Sequence, residues 1–295
     1  PGGQGTVWFD ALRFEDETYR LTPFLQASSA LPGYEPQNIM DPSTSAGWRS
    51  LSSDVPQELL IDFQTEREYG GLVVQWEKGL RPQEFDIQIS TDGIAWETVC
   101  SGQSGVGDRT YVCLPSAVSR FIRLNLHRSM AGGGFGIVYI EVKPYDFSRS
   151  INAFFEGIAK ESPKGFYPKY LVGQQTYWTP VGTGADVTQA LFNEEGMVEV
   201  DKGTFSIEPF IFVDDRLITW ADVSLKQELR DGYLPIPSSQ WQAGEMILTT
   251  TAYATGDSGQ STLFIRYRLE NTSAELRQVR LFAALRPFQV TPTWQ

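Results

Sequence analysis

The chain has 295 residues, a formal net charge of −12, 41% hydrophobic and 13% aromatic residues. Single cores tend to stop growing at roughly 250–300 residues, so two domains are expected, each with apolar matter enough for a core. Lys and Arg are scattered singly among acids, which excludes nucleic acid as a partner and disfavours anionic lipid. No stretch approaches the ~18 apolar residues of a membrane span, so membrane insertion is not expected.

The first residues, "PGGQGTVWFD", have neither an initiator Met nor the basic head and apolar middle of a signal peptide. They read as a strand entered from something upstream, and the expectation is a piece of a longer protein. Residues 1–20 are then a residual strand or linker.

From Glu58 short strands alternate with turns. "ELLIDF" is one, "GGLVVQW" the next, and after the loop "EKGLRPQE" comes "FDIQIS", with Phe85, Ile87 and Ile89 alternating with polar residues. Such alternation means one buried and one wet face. In "STDGIAW" Asp92 and Gly93 supply a hairpin turn, and Trp96 is expected to return to the core. "AWETVC", "TYVCLP", "RFIRLNL" and "FGIVYIEV" complete about seven strands, which suits an antiparallel sandwich or barrel.

The chain has two Cys and one His. Cys100 and Cys113 fall opposite one another about the turn Gly105 to Asp108. That placement permits a disulfide and with it an oxidising compartment, or equally two thiols used as small apolar residues. A single His excludes multi-His zinc sites within this chain.

Strand alternation stops at "VKPYDFSRS". "INAFFEGIAKE" then places Ile151, Phe154, Phe155 and Ile158 at helical spacing, and Pro163 and Gly165 keep that helix short. Strands return in "MVEVDKG", "TFSIEPFIFVDDRLITWADVSL", "EMILTTTAYATG", "STLFIRYRLEN" and "QVRLFAALRPF". The second half is therefore expected to be a larger antiparallel β-sandwich. The acids of "NEEGMVEVD" and "PFIFVDDRL" fall on short turns where charges normally face water, so catalysis by a pair of carboxylates is not expected in this chain.

In order along the chain, "ASSALPGYEPQNIMDPSTSAGWRS", "QELLIDFQTEREYGGLVVQW", "FDIQISTDGIAWETV", "SRFIRLNL" and "GIVYIEV" resemble the discoidin family, the coagulation factor 5/8 type C fold shared with galactose-binding-like carbohydrate modules. The resemblance covers residues 21–145. It implies an eight-stranded jelly-roll-like barrel whose loops at one end meet a sugar or other partner, and in many members a structural calcium ion. The family's turn Asp matches Asp41 and its acid in the final strand matches Glu141, and oxygens from two distant segments suit a cation that takes six to eight. A Thr of the family is Ala46 here, which removes one oxygen. The alternative is that Asp41 caps its turn and Glu141 is a surface charge.

The family's binding loops correspond by position to "LPGYEPQN", "EKGLRPQE" and "HRSMAGGGF". Tyr34 and Phe135 are the candidate platforms for a sugar ring, with Glu77, Arg81 and His127 as polar clamps. Residues 146–295 resemble, less sharply, the supersandwich-type β-sandwich that precedes an (α/α)6 barrel in bacterial proteins similar to glycogen-debranching glycosidases. On that resemblance the catalytic acids lie in a following barrel of the same polypeptide. The expectation is an all-β chain with a short linking helix, forming a non-catalytic, carbohydrate-binding and scaffold portion of a secreted, periplasmic or cell-surface carbohydrate-active enzyme. The alternative is an adhesion module whose discoidin loops meet a protein or cell surface without binding sugar.

Overall fold

The computed structural model describes residues 21–41, 46–103, 105, 107–130, 132–184 and 186–290. The strand expected at 1–20 lies outside the described residues. The chain divides into two compact units, the first ending at Tyr145 and the second beginning at Asp146. No helix among the described residues is long and apolar enough to cross a membrane.

The first unit is built from β1 (Phe24–Ala27), β2 (Trp48–Arg49), β3 (Gln57–Trp76), β4 (Pro82–Ser90), β5 (Glu97–Gln103), β6 (Arg109–Ser129) and β7 (Gly136–Lys143). All pairs are antiparallel, in the order β2-β7-β3-β6-β4-β5, with β1 also on β3. "ELLIDF" and "GGLVVQW" are one strand, β3, and "TYVCLP" and "RFIRLNL" are one strand, β6. Both bend, and the register of their pairing shifts between Asp62 and Arg67. The first half of β3 pairs with β1 and the second half of β6; its second half pairs with the first half of β6 and with β7. Two long bent strands thus serve both layers of a jelly-roll sandwich.

Period-2 burial follows from this geometry. Leu59, Ile61 and Phe63 of β3, Phe85 and Ile87 of β4, and Ile122, Leu124 and Leu126 of β6 point into one core with Trp48, Trp76 and Tyr69. Each such large side chain contributes roughly 1.5–3 kcal/mol by leaving water. Two buried polar handles are satisfied: Trp48 Nε1 donates to Ser29 O at 3.0 Å, and Trp76 Nε1 to Thr110 Oγ1 at 2.8 Å.

Two expectations need correction here. Trp96 does not reach the core; it is half-buried, packs on Phe121 with ring centres 6.3 Å apart, and carries Arg123 over its face at 4.0 Å. Nor are Cys100 and Cys113 opposite one another. Cys100 pairs with Ile87 of β4 and Cys113 with Gly71 of β3, because β5 and β6 do not form a hairpin; both thiols are free.

The second unit opens with α1 (Ile151–Ala159), capped by Ser150, whose side chain accepts from Ala153 N at 3.0 Å. Ala153, Ile158 and Ala159 are buried, while Ile151 is exposed. Among the described residues ten strands follow: β8 (Trp178–Val181), β9 (Ala190–Asn193), β10 (Val198–Glu199), β11 (Ser206–Val213), β12 (Arg216–Ile218), β13 (Ser224–Arg230), β14 (Leu234–Ala243), β15 (Met246–Thr255), β16 (Thr262–Asn271) and β17 (Val279–Arg286). One sheet runs β12-β11-β10-β9-β8, with β17 also on β11; the other runs β13-β14-β15-β16. Ile211, Val213 and Ile218 of the first sheet pack against Trp241 and Leu248 of the second, and Phe192 and Val198 against Ala252. The unit is an antiparallel sandwich.

Candidate functional site

The candidate site lies where the loops after β1, β3 and β6 meet. Leu31 N donates to Arg49 O at 2.8 Å and Arg49 N to Tyr34 O at 3.3 Å, which ties the first loop to the short strand β2. Gly33, at φ +85°, makes the turn in which Tyr34 N donates to Leu31 O at 2.9 Å. On the other side Glu77 N donates to Gly136 O and Gly136 N to Leu80 O, each at 2.9 Å. Gly136 is required there, since a Cβ would sit 2.9 Å from Glu77 Cβ and 3.0 Å from Leu80 Cδ1.

These backbone ties bring Tyr34, Arg49 and Glu77 together. The Arg49 guanidinium lies 4.1 Å from the centre of the Tyr34 ring. Glu77 grips the same guanidinium with both oxygens, Arg49 Nε donating to Oε2 at 2.6 Å and Nη2 to Oε1. This planar two-point grip orients Arg49 and is stronger than a single contact. The hydrogen bonds to Glu77 raise the pKa of Arg49 further above its ordinary value. Both side chains of the pair stay about 30% exposed, at 32% and 27%, so the trio can still be reached from water.

The other sequence-predicted residues do not join it. Phe135 is a correction: it is wholly buried in the core of the first unit, so its ring has no face for a ligand. Its backbone is pinned there, Phe135 N donating to Ser50 Oγ at 2.8 Å. Arg81 donates its Nη1 to Gly107 O in the loop between β5 and β6. His127 is not in a loop but on β6, where its Nε2 lies 2.6 Å from Asp86 Oδ2 of β4. Hydrogen bonds from Ser101 and His127 hold the Asp86 pKa below its usual value.

Asp41 ends a short 3-10 turn, Pro36–Met40, with its backbone N–H donating to Asn38 O. Glu141 Oε1 accepts from Lys143 Nζ at 2.8 Å, so an ammonium already occupies the position a cation would take on that oxygen. No group of three His, Cys, Asp or Glu side chains that could hold a metal occurs among the described residues. Asp41 and Glu141 supply two carboxylates toward the six to eight oxygens a calcium ion takes, and residues 42–45 beside Asp41 lie outside the described residues.

Sequence reading missed Arg49. The signal was present in "GWRS": with Trp48 directed inward, period 2 sends its neighbour outward at the same loop end.

In the second unit the acids expected to face water are another correction. Glu195 and Glu199 of "NEEGMVEVD" are buried, and so is Glu208 of β11, which that expectation did not include. Burial pushes Glu195 and Glu208 up to about 7, against the pull of Lys169 on the first and Arg286 on the second. Lys169 Nζ is 3.8 Å from Glu195 Oε1, and Arg286 Nη1 is 3.3 Å from Glu208 Oε2. Asn193 Oδ1 accepts from Glu195 N and Met197 N, and Trp241 Nε1 donates to Glu195 O, so this turn is folded into the sandwich. Both carboxyls are almost wholly buried, at 3% and 4% exposure, within the sandwich. Asp214 and Asp215, in contrast, form the exposed turn between β11 and β12, with Asp214 paired to Arg277 at 2.6 Å.

The F5/8 type C domain family matches residues 25–140. No curated protein matches this chain. Among solved structures, chitosan-binding module 2 from a chitosanase/glucanase of Paenibacillus sp. IK-5, in complex with chitotriose, is 22% identical, with 42% of this chain and 98% of that chain covered and a TM-score of 0.39. The family 32 CBM from C. perfringens NanJ, in complex with galactose, is 16% identical over 41% of this chain and 92% of that chain, with a TM-score of 0.38. A GH29 fucosidase from Ruminococcus gnavus, in complex with fucose, is 18% identical over 41% of this chain and 25% of that chain, with a TM-score of 0.37. The family match does not extend into the second unit. Over residues 25–140, then, the chain carries an F5/8 type C (discoidin) domain.

Proposed function

We propose that the first unit is a carbohydrate-binding module, and that it takes a glycan against Tyr34, Arg49 and Glu77. The observation that carries this reading is the grouping of one aromatic ring, one oriented guanidinium and one carboxylate at the loop end of a discoidin domain. Arg49 covers one face of Tyr34, so the CH face of a pyranose stacks on the other. The guanidinium has N–H donors beyond the two that Glu77 uses, and the carboxylate has lone pairs left for hydroxyl groups. Donors and acceptors side by side on an aromatic wall suit a neutral sugar.

On this reading the chain is an ancillary portion of a carbohydrate-active enzyme acting outside the cytoplasm, where glycan polymers are met. The second unit is its scaffold, and a catalytic (α/α)6 domain of the same polypeptide is its partner; the resemblance of "YPKYLVGQQTYWTPVG" and "DGYLPIPS" to such sandwiches supports this. The sugars in the similar structures supply the probes.

Isothermal titration with galactose and chitotriose, on the parent chain and on Tyr34→Ala and Glu77→Gln, tests the proposal. The expected result is saturable binding to at least one, with Kd roughly between micromolar and millimolar, weakened about tenfold or more in each variant. An absence of saturable binding across a wider panel of neutral glycans, or affinities that both variants leave unchanged, would overturn it and favour the adhesion reading.

A further inference from the structure

We infer that the second unit carries a separate binding groove for an anionic oligosaccharide on the outer face of the β13-β14-β15-β16 sheet. The groove has a volume of about 430 Å³ and is lined by Glu228, Arg230, Ile236, Ser238, Thr251, Tyr253 and Arg266. Its floor is one row of cross-strand partners: Glu228 opposite Ser238, Ser238 opposite Thr251, and Thr251 opposite Arg266. The Ser238 and Thr251 hydroxyls are 2.9 Å apart and form the polar middle of that row.

An aromatic wall stands beside the floor. Tyr253 pairs across strands with Phe264, their rings 5.2 Å apart and within 11° of parallel. Phe264 does not line the groove, so it backs the Tyr253 ring while the groove lies against Tyr253. A supported ring above a hydroxyl row is the arrangement that stacks the CH face of a sugar and leaves its hydroxyls partners below.

Charge selects which sugar. Arg230 and Arg266 stand at the groove, exposed, and neither forms an ion pair among the described residues. The one carboxylate lining the groove, Glu228, is paired with Lys226 at 3.1 Å. Two guanidiniums outside any ion pair, against one carboxylate already held by Lys226, form a local cationic site in a chain of net charge −12, one that suits carboxylate or sulfate groups and their two-point geometry. An acidic peptide would use the charge but not the aromatic wall.

The test is isothermal titration of the 295-residue chain with trigalacturonate and a heparin-derived tetrasaccharide, with maltotriose as the neutral control and hexaglutamate as the acidic peptide. One or both anionic sugars are expected to bind saturably, and more weakly in 300 mM than in 50 mM NaCl. Arg266→Ala and Tyr253→Ala should each weaken that binding about tenfold, a difference of ~1.4 kcal/mol, while Tyr34→Ala leaves it unchanged. A melting curve controls for folding, and if Tyr253→Ala melts early, Arg230→Gln replaces it. No binding to either anionic sugar, equal binding of maltotriose, tighter binding of hexaglutamate, or insensitivity to the Arg266 and Tyr253 changes would overturn the inference.

Discussion

The guanidinium of Arg49 lies 4.1 Å from the centre of the Tyr34 ring, on the face opposite the one proposed for a sugar. Arg49 comes from the short strand β2 and Tyr34 from the loop before it, and Glu77, from the loop after β3, locks the pair. The position of the aromatic platform therefore depends on an ion pair between segments 28 residues apart.

That dependence makes Arg49→Lys an informative change. Lysine keeps the charge but cannot be gripped at two points by Glu77 or lie flat on Tyr34. The exposed part of the pair adds only ~0–1 kcal/mol to stability. Glycan affinity is expected to fall about as far as in Arg49→Ala, roughly tenfold, with little change in melting temperature. Titration calorimetry and a thermal melt on the same samples check this.

Gly136→Ala should act on the same site through packing. The added methyl would meet Glu77 Cβ at 2.9 Å and Leu80 Cδ1 at 3.0 Å, and overpacking of this kind costs about 1–3 kcal/mol. The expected outcome is a lower denaturation midpoint together with weaker glycan binding, read by urea titration and calorimetry. Gly79→Ala, in the same loop but with open space at its Cβ, should leave glycan binding intact, though its left-handed backbone at φ +82° makes some loss of stability ordinary.

Stability should fall as pH rises from about 4.5 to about 7. The carboxyls of Glu195 and Glu208 go from 4.5 when unfolded to about 7 when folded, chiefly through burial. Between those values the folded state holds more protons than the unfolded state, so the unfolding free energy decreases with pH, by up to about 1.4 kcal/mol per pH unit for each group. Asp62 and Asp86 are shifted downward and act only below about pH 4. Chemical denaturation at pH 5 and pH 8 is expected to show the second unit more stable at pH 5. Glu208→Gln should flatten that difference.

The two cysteines should both titrate as thiols. Cys113 is exposed and Cys100 half-buried, and burial raises the pKa of each. A disulfide-exchange reagent at pH 8 is expected to find two thiols per chain without prior reduction, Cys113 reacting first, and reductant should leave the melting temperature unchanged. A count of zero would mean that the strands carrying them shift to form a bridge.

Much of the fold was legible. "FDIQIS" alternates and is β4; "INAFFEGIA" has helical spacing and is α1. What was not legible involved contacts distant in sequence. β3 read as two strands because its bend around Gln64 to Glu68 is polar, yet its pairing with β6 continues on either side. The acids of "NEEGMVEVD" read as solvated because charge usually means water. Glu195 is instead buried against Lys169, 26 residues before it, and Glu208 of β11, outside that stretch, lies in the same way against Arg286, 78 residues after it.

By itself the sequence determined the β-rich class and the short helix, because strand period, helical spacing and turn glycines act between near neighbours, and the order of its motifs carried the resemblance to discoidin domains. Only the tertiary structure decided which loop residues meet. It buried Phe135, paired His127 with Asp86, turned Arg81 to Gly107, and brought in Arg49, which no motif had named. The physical reason is that the bends of two long strands, β3 and β6, set where the loop ends converge, and no local period carries that information.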